Sequence, residues 1–345
     1  MTSSTAPSLA AEGAATRQVT VRLDDRVRLL SAVLAATNYP DKSQERRRHG
    51  THAHARATRK WLIDFMSHPA VHAAQVLLDQ GMPLNALFSY ALRLSFPALE
   101  ADLPQPRWIP PRWNEYLRHF YEQTRLAEWW ESESPHWQTA VRHLRETFAS
   151  VDLHAFLEPF VGRLVETLVF MPNICYPTDQ TLGLQIGGEL VVIMPPPIAW
   201  GDSAPWPYKD DPALAYRSAL AEYGAMLMDA YLQQHADLVA TLSERPLPII
   251  EEQYAAKYPS WHRQFIGVFV ASITALFLED KVSTLEARSF TQYMQKVEQL
   301  TGLPTAVSVM RRYLEDYRSG RYTSFAEFMP KLPNLLKVGK TISAL

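Results

Sequence analysis

A chain of 345 residues has room for one large domain or two ordinary ones, and 47% apolar residues can supply a sizeable core. A formal net charge of -2 excludes a general electrostatic pull toward nucleic acid or acidic membrane. The single cysteine, Cys175, excludes an internal disulfide and a cysteine-rich zinc site, and a small apolar role in a strand is expected for it.

Residues 1–17 are rich in Ser, Thr and Ala and read as a disordered tail. They show no basic stretch followed by an apolar one, so no signal peptide is legible. No apolar run approaches the length of a membrane span, and the longest, 265–278, reads as a buried helix. A cytoplasmic location is expected. Polar–apolar alternation at 18–23 predicts a short strand, and Val27, Leu29, Leu30, Val33 and Leu34 recur at helical spacing. The stretch 41–60 is polar and basic. Proline and glycine signals separate helices at 61–66, 69–80 and 83–94. A proline-rich connection at 96–111 leads to helices at 113–130, 135–149 and 153–164.

The pattern then changes. Residues 166–171 are β-rich, and two β-rich runs at 181–186 and 189–194 flank Gly187-Gly188, a hairpin signal. A proline- and aromatic-rich loop follows at 195–212, of a length that often serves a site. A long helix is expected at 213–242, then helices at 260–278, 283–300, 305–318 and 324–329. There is no internal repeat and no heptad run. The segment order predicts an α+β fold, mainly helical, with a small antiparallel sheet before a long helix. The expected organisation is a tail at 1–17, a helical subdomain at 18–165, and the sheet, long helix and C-terminal helices at 166–345.

Within the long helix stands Ala221-Glu222-Tyr223-Gly224-Ala225. In the zinc-peptidase motif H-E-x-x-H, two histidines at i and i+4 hold zinc, and the Glu acts as general base on the bound water. Here both histidine positions are alanine, which has no lone pair to give. Alanine and glutamate are strong helix formers, so the pentapeptide alone reads as an ordinary helix. Its surroundings change the odds. V-x-V-x-L-x-x-R-V-x-L-L at 19–30, H-P-A-V at 68–71, F-x-G at 160–162, the Gly187-Gly188 hairpin and Glu222-Tyr223-Gly224 follow one another in this order. Together they resemble an uncharacterised bacterial gluzincin-like (HExxH-type) metallopeptidase family over about 19–278.

The resemblance implies a zincin-like fold, in which a small sheet ends in an edge strand that pairs with an extended peptide. The active-site helix would pack beneath that sheet. It puts the family's zinc-binding histidines at Ala221 and Ala225, and its third ligand, a Glu, on a later helix where Gly267 or Val268 stands. Helix geometry agrees with a degenerate site: Ala221, Ala225, Met228 and Leu232 make one apolar stripe, beside a core stripe of Leu220, Tyr223, Leu227 and Tyr231. Glu222 shares its face with Met226, Asp229 and Gln233. It reads as a solvated residue, a vestigial general base, or a carboxylate that bonds a ligand in the old cleft. Tyr223, Trp200, Trp206 and Tyr208 are cleft candidates, with packing of the proline-rich loop as the plainer reading of the last three.

The expected function is a catalytically silent zincin-like pseudopeptidase that binds a peptide or protein partner in the former substrate cleft. Strand 189–194 is expected to be the edge that takes the partner as an added strand. No zinc or other cofactor, no nucleic acid and no membrane is expected. Two alternatives stand. One is an active zinc metallopeptidase whose ligand histidines were replaced in this sequence, with zinc as cofactor only if the native residues at 221 and 225 are His. The other is a helical scaffold without a zincin fold. Among other signals, His49, His52 and His54 in a basic run read as a solvated loop or helix rather than a metal site or nucleic-acid patch. Pro69 at a first helical position makes His68 a cap rather than a zinc partner of His72. His143 and His154 read as structural. Phosphate loops and G-x-S-x-G are absent, and Cys175 has no neighbour to activate it as a nucleophile.

Overall fold

The computed structural model describes residues 18–46, 53–101, 104–175, 180–197 and 207–343. Its centre is one sheet built from β1 (Thr20–Val21), β2 (Thr167–Pro172), β3 (Leu182–Ile186) and β4 (Glu189–Met194), in the order β1-β2-β4-β3. The expected hairpin forms: Ile186 stands opposite Glu189, and Gly187 supplies the left-handed φ of +57° that the two-residue turn requires. β4 then runs parallel to β2, with Val169 opposite Val191, and β1 runs parallel to β2, with Thr20 opposite Val169.

Two expectations are corrected here. The sheet is mixed rather than antiparallel, because β1 reaches β2 through a long helical crossover and β2 reaches its parallel partner β4 by way of β3, links that no local pattern announces. Strand Glu189–Met194 is interior, and the edges are β1 and β3. Its composition gives the reason. Leu190, Val191, Val192, Ile193 and Met194 are all buried, a continuous apolar run typical of a strand covered on both faces.

The chain is mainly helical. Before the hairpin it forms α1 (Asp25–Ala36), α2 (Tyr39–Arg46), α3 (Ala53–Trp61), α4 (Pro69–Asp79), α5 (Leu84–Leu92), α6 (Trp113–Gln123), α7 (Leu126–Ser132), α8 (Ser134–Ala149) and α9 (Leu153–Val161). After it come α10 (Pro212–Gln234), α11 (Ala236–Ser243), α12 (Glu252–Lys257) and α13 (Trp261–Lys281). The remainder is α14 (Thr284–Lys296), α15 (Leu303–Arg318), α16 (Phe325–Phe328) and α17 (Leu332–Ser343). Side-chain caps set several starts: Asp24, Asp152, Asp211, Ser260 and Ser283 each accept a backbone N–H of the first turn. His68 caps α4 through Nδ1, as its sequence position before Pro69 predicts.

Some helices are shorter than their periodicity predicts. The helix expected at 113–130 breaks at Arg125, which has a φ of +53°, and the one expected at 213–242 breaks at His235. The apolar run at 265–278 lies within α13, which at 21 residues has the length and composition to cross a membrane. Two-thirds of its apolar window (67%) is buried among the other helices, which accounts for its apolarity.

Successive strand residues face opposite sides, so the sheet serves two cores. Leu168, Phe170, Leu190, Val192 and Met194 pack with α8, α9, α10, α13 and α15. Val169, Met171, Leu182, Leu184, Val191 and Ile193 pack with α1, α4, α5 and α6.

Candidate functional site

Helix α10 lies beneath the sheet, next to β4 and the edge strand β3. Asp211 starts it by accepting from Leu214 N at 2.9 Å, with Pro212 at the first helical position. Successive residues of one turn then look in three directions. Tyr223 is fully buried beneath the sheet and donates to Val169 O at 2.6 Å. Glu222 turns toward β3. Ala221 turns toward α13.

The Glu222 direction is set by a glycine. A Cβ at Gly183 would lie 2.5 Å from Glu222 Oε2 and 2.9 Å from its Cβ, so the carboxylate side chain occupies the space Gly183 leaves. Antiparallel partners alternate between hydrogen-bonded and open pairs. Counted from the two-residue turn, Gly183–Val192 is an open pair, and the Gly183 N–H points away from β4. That N–H favours the Glu222 carboxylate, but burial outweighs it and pushes the carboxyl up from 4.5 to about 7. Glu222 is therefore not the solvated residue its face-mates imply. Further along that face, Asp229 pairs with His262 Nε2 at 2.7 Å and accepts from Gln233.

The Ala221 direction opens into a cleft of about 530 Å³ between α10, α12, α13 and α14, within the range of ligand pockets. Ala221 and Gly267 both line it. Ala225 is half-buried and does not line it, while Val268 is buried in the core. Of the two positions open for the third ligand, Gly267 is the one at the cleft. A side chain there would collide with Tyr254 Oη, which sits over the glycine. Arg217, one turn before Ala221 on the same face, adds a cation. It reaches Asp211 at 3.5 Å and Glu286 at 3.3 Å, and its buried Nε makes no hydrogen bond among the described residues. Tyr258, Phe290, Tyr293 and Met294 complete an apolar wall, with Glu298 paired to Lys257 at its rim.

Sequence reasoning singled out Ala221 and missed Arg217 and Tyr254. The i, i+4 step from 217 to 221 was the available signal for the first. Tyr254 had none, because its place over Gly267 is a tertiary fact. The cleft candidates separate: Tyr208 is buried and donates to Met194 O at 3.0 Å, Tyr223 belongs to the core, and Trp200 and Trp206 lie outside the described residues. Cys175 is buried just past β2 with Thr58 Oγ1 at 3.1 Å, and burial pushes its thiol up to about 12, far from a ready thiolate.

Ala221 and Gly267 carry no side chain that could donate to a metal, so the cleft wall supplies no zinc ligand at these two positions. What the cleft does offer is apolar surface, aromatic edges and one guanidinium. No family model matches the chain, and neither a curated protein nor a solved structure matches it.

Proposed function

We propose that the chain is a catalytically silent, zincin-like binding protein that takes a segment of a peptide or protein partner in the cleft between α10, α13 and α14. One observation carries the reading. Where a peptidase of this kind needs metal donors, the cleft wall is the methyl of Ala221 and the bare backbone of Gly267. Without a metal, Glu222 has no activated water to work on, and its carboxyl is turned to Gly183 instead. A long helix beneath a sheet that ends in the antiparallel strand β3 supports the zincin-like part of the reading.

Partner recognition falls on side chains rather than on strand addition. The outward N–H of Gly183 already faces Glu222, which blunts β3 as a template. Arg217, whose outer nitrogens face Asp211 and Glu286, keeps its Nε N–H for a carboxylate of the partner, and the tyrosines with Phe290 suit an apolar or aromatic side chain beside it.

Panning a displayed random peptide library against the full chain tests this. Enriched peptides carrying an acidic residue beside an apolar one are expected. Their binding is expected to fall at least about tenfold in Arg217→Ala and to be lost in Ala221→Trp, which sets an indole across the cleft. Peptides indifferent to both substitutions would sink the reading, as would zinc-dependent cleavage of a fluorogenic peptide that Glu222→Gln abolishes.

A further inference from the structure

A second group of chemically competent side chains lies away from the cleft. α3 opens at Ala53, so His54 stands in its first turn. Glu133 is the joint between α7 and α8, with near-helical backbone (φ -88°, ψ -5°). The His136 N–H donates to Glu133 O at 3.0 Å, so Glu133 and His136, three residues apart, share one face of that turn. The fold brings them to His54. Glu133 Oε2 is 2.8 Å from His54 Nδ1, and the two imidazole rings lie 4.5 Å apart between centroids. One donor atom from each of the three residues falls within 4.8 Å of the others.

Charge and burial narrow what this arrangement is for. Glu133 is only 9% exposed, and a buried carboxylate requires a positive partner. One imidazolium would meet that need. A second imidazole against the first does not serve an ion pair, since two imidazoliums repel. Two neutral imidazoles with their lone pairs beside a carboxylate serve a cation. Ligands at about 2.0–2.1 Å from a tetrahedral zinc stand roughly 3.3 Å apart, and these three donors, all within 4.8 Å of one another, lie near that spacing.

We propose that His54, Glu133 and His136 bind a divalent cation of the zinc class, with three protein donors and a fourth position open to solvent beside the exposed His136. The expectation of a chain without zinc rested on α10 and α13. This site is built from α3 and the α7–α8 joint, neither of which lines the cleft, so it stands or falls separately from the peptide-binding reading. Of the basic run expected to be a solvated loop or helix, His54 lies on α3 and is partly buried against Glu133, while His49 and His52 lie outside the described residues.

Competition with a chromophoric chelator, using the full chain stripped of metal and supplied with Zn²⁺ alone, tests the site. One equivalent is expected to bind, and Co²⁺ in its place is expected to give the intense visible bands of four-coordinate geometry. His136→Ala, at an exposed side chain, is expected to keep the fold by circular dichroism and to lower affinity at least about tenfold, with Glu133→Gln doing the same. Zn²⁺ is expected to raise the unfolding midpoint of the native chain and not that of His136→Ala. Absence of binding by the native chain, or binding unchanged in both variants, overturns the proposal.

Discussion

Held against Gly183, the Glu222 carboxyl ionises only at a cost, and the cost has a pH signature. Its value in the fold is about 7 against an ordinary 4.5, so the folded chain holds this proton more tightly than the unfolded chain. Stability from this group is therefore highest at and below pH 4.5, falls as pH rises toward about 7, and is flat beyond. Glu222→Gln keeps an acceptor for the Gly183 N–H and removes the charge. It is expected to match the native chain near pH 4.5 and to exceed it above pH 7 by up to about 3 kcal/mol. Urea unfolding at about pH 5 and pH 8 checks this; an equal difference at both would contradict the burial. The second residue-scale test concerns Gly267. An added methyl meets Tyr254 Oη, and Gly267→Ala is expected to cost about 1–3 kcal/mol. In a Tyr254→Phe background the oxygen is gone and most of that cost is expected to go with it, which a double-mutant cycle measures. The motif around Glu222 was legible in the sequence because it is five consecutive residues. The burial of Glu222 was not, because it depends on a glycine in a strand that α10 meets only in the folded chain.

At the scale of elements, β1 is the weakest piece of the sheet. Two residues pair with β2, and little ladder holds them. Arg22, directly after β1, compensates with a bidentate bond to Glu189 at the start of β4, at 2.7 and 2.6 Å. The clamp spans β2 and ties the first edge strand to the hairpin. Both side chains are about a third exposed, so solvent screens the pair, and Glu189→Gln is expected to cost no more than about 1 kcal/mol. Its effect belongs to β1 itself. Amide exchange at 20–22 is expected to quicken while the centre of β2 stays protected; uniform protection would show that the clamp does nothing. The hairpin was legible because Gly187-Gly188 and its flanking runs are contiguous. The parallel union of β2 with β4 was not, since register between distant strands leaves no local mark. A run such as 190–194, apolar at every position, was the one sign that β4 is interior, and it outweighs the bare hairpin signal.

The whole molecule is organised by that sheet, which is a wall common to both cores. On β4 alone, Leu190 faces the core of α8, α10 and α13, and Ile193 faces the core of α1, α4 and α5. Neither core can come apart without exposing one face of β2 and β4, the strands that serve both. Loss of one apolar face should therefore draw the other with it, and the two cores are expected to unfold as one unit. Leu190→Ala and Ile193→Ala each remove a fully buried side chain and are expected to cost about 2–5 kcal/mol. Trp113 belongs to one core and Trp137 to the other, so a single-tryptophan pair of chains reports each side. If the sheet couples the cores, either substitution shifts both tryptophan transitions by the same denaturant concentration. Should Ile193→Ala move the Trp113 transition and leave that of Trp137 in place, the cores are independent and the sheet is only a boundary between them.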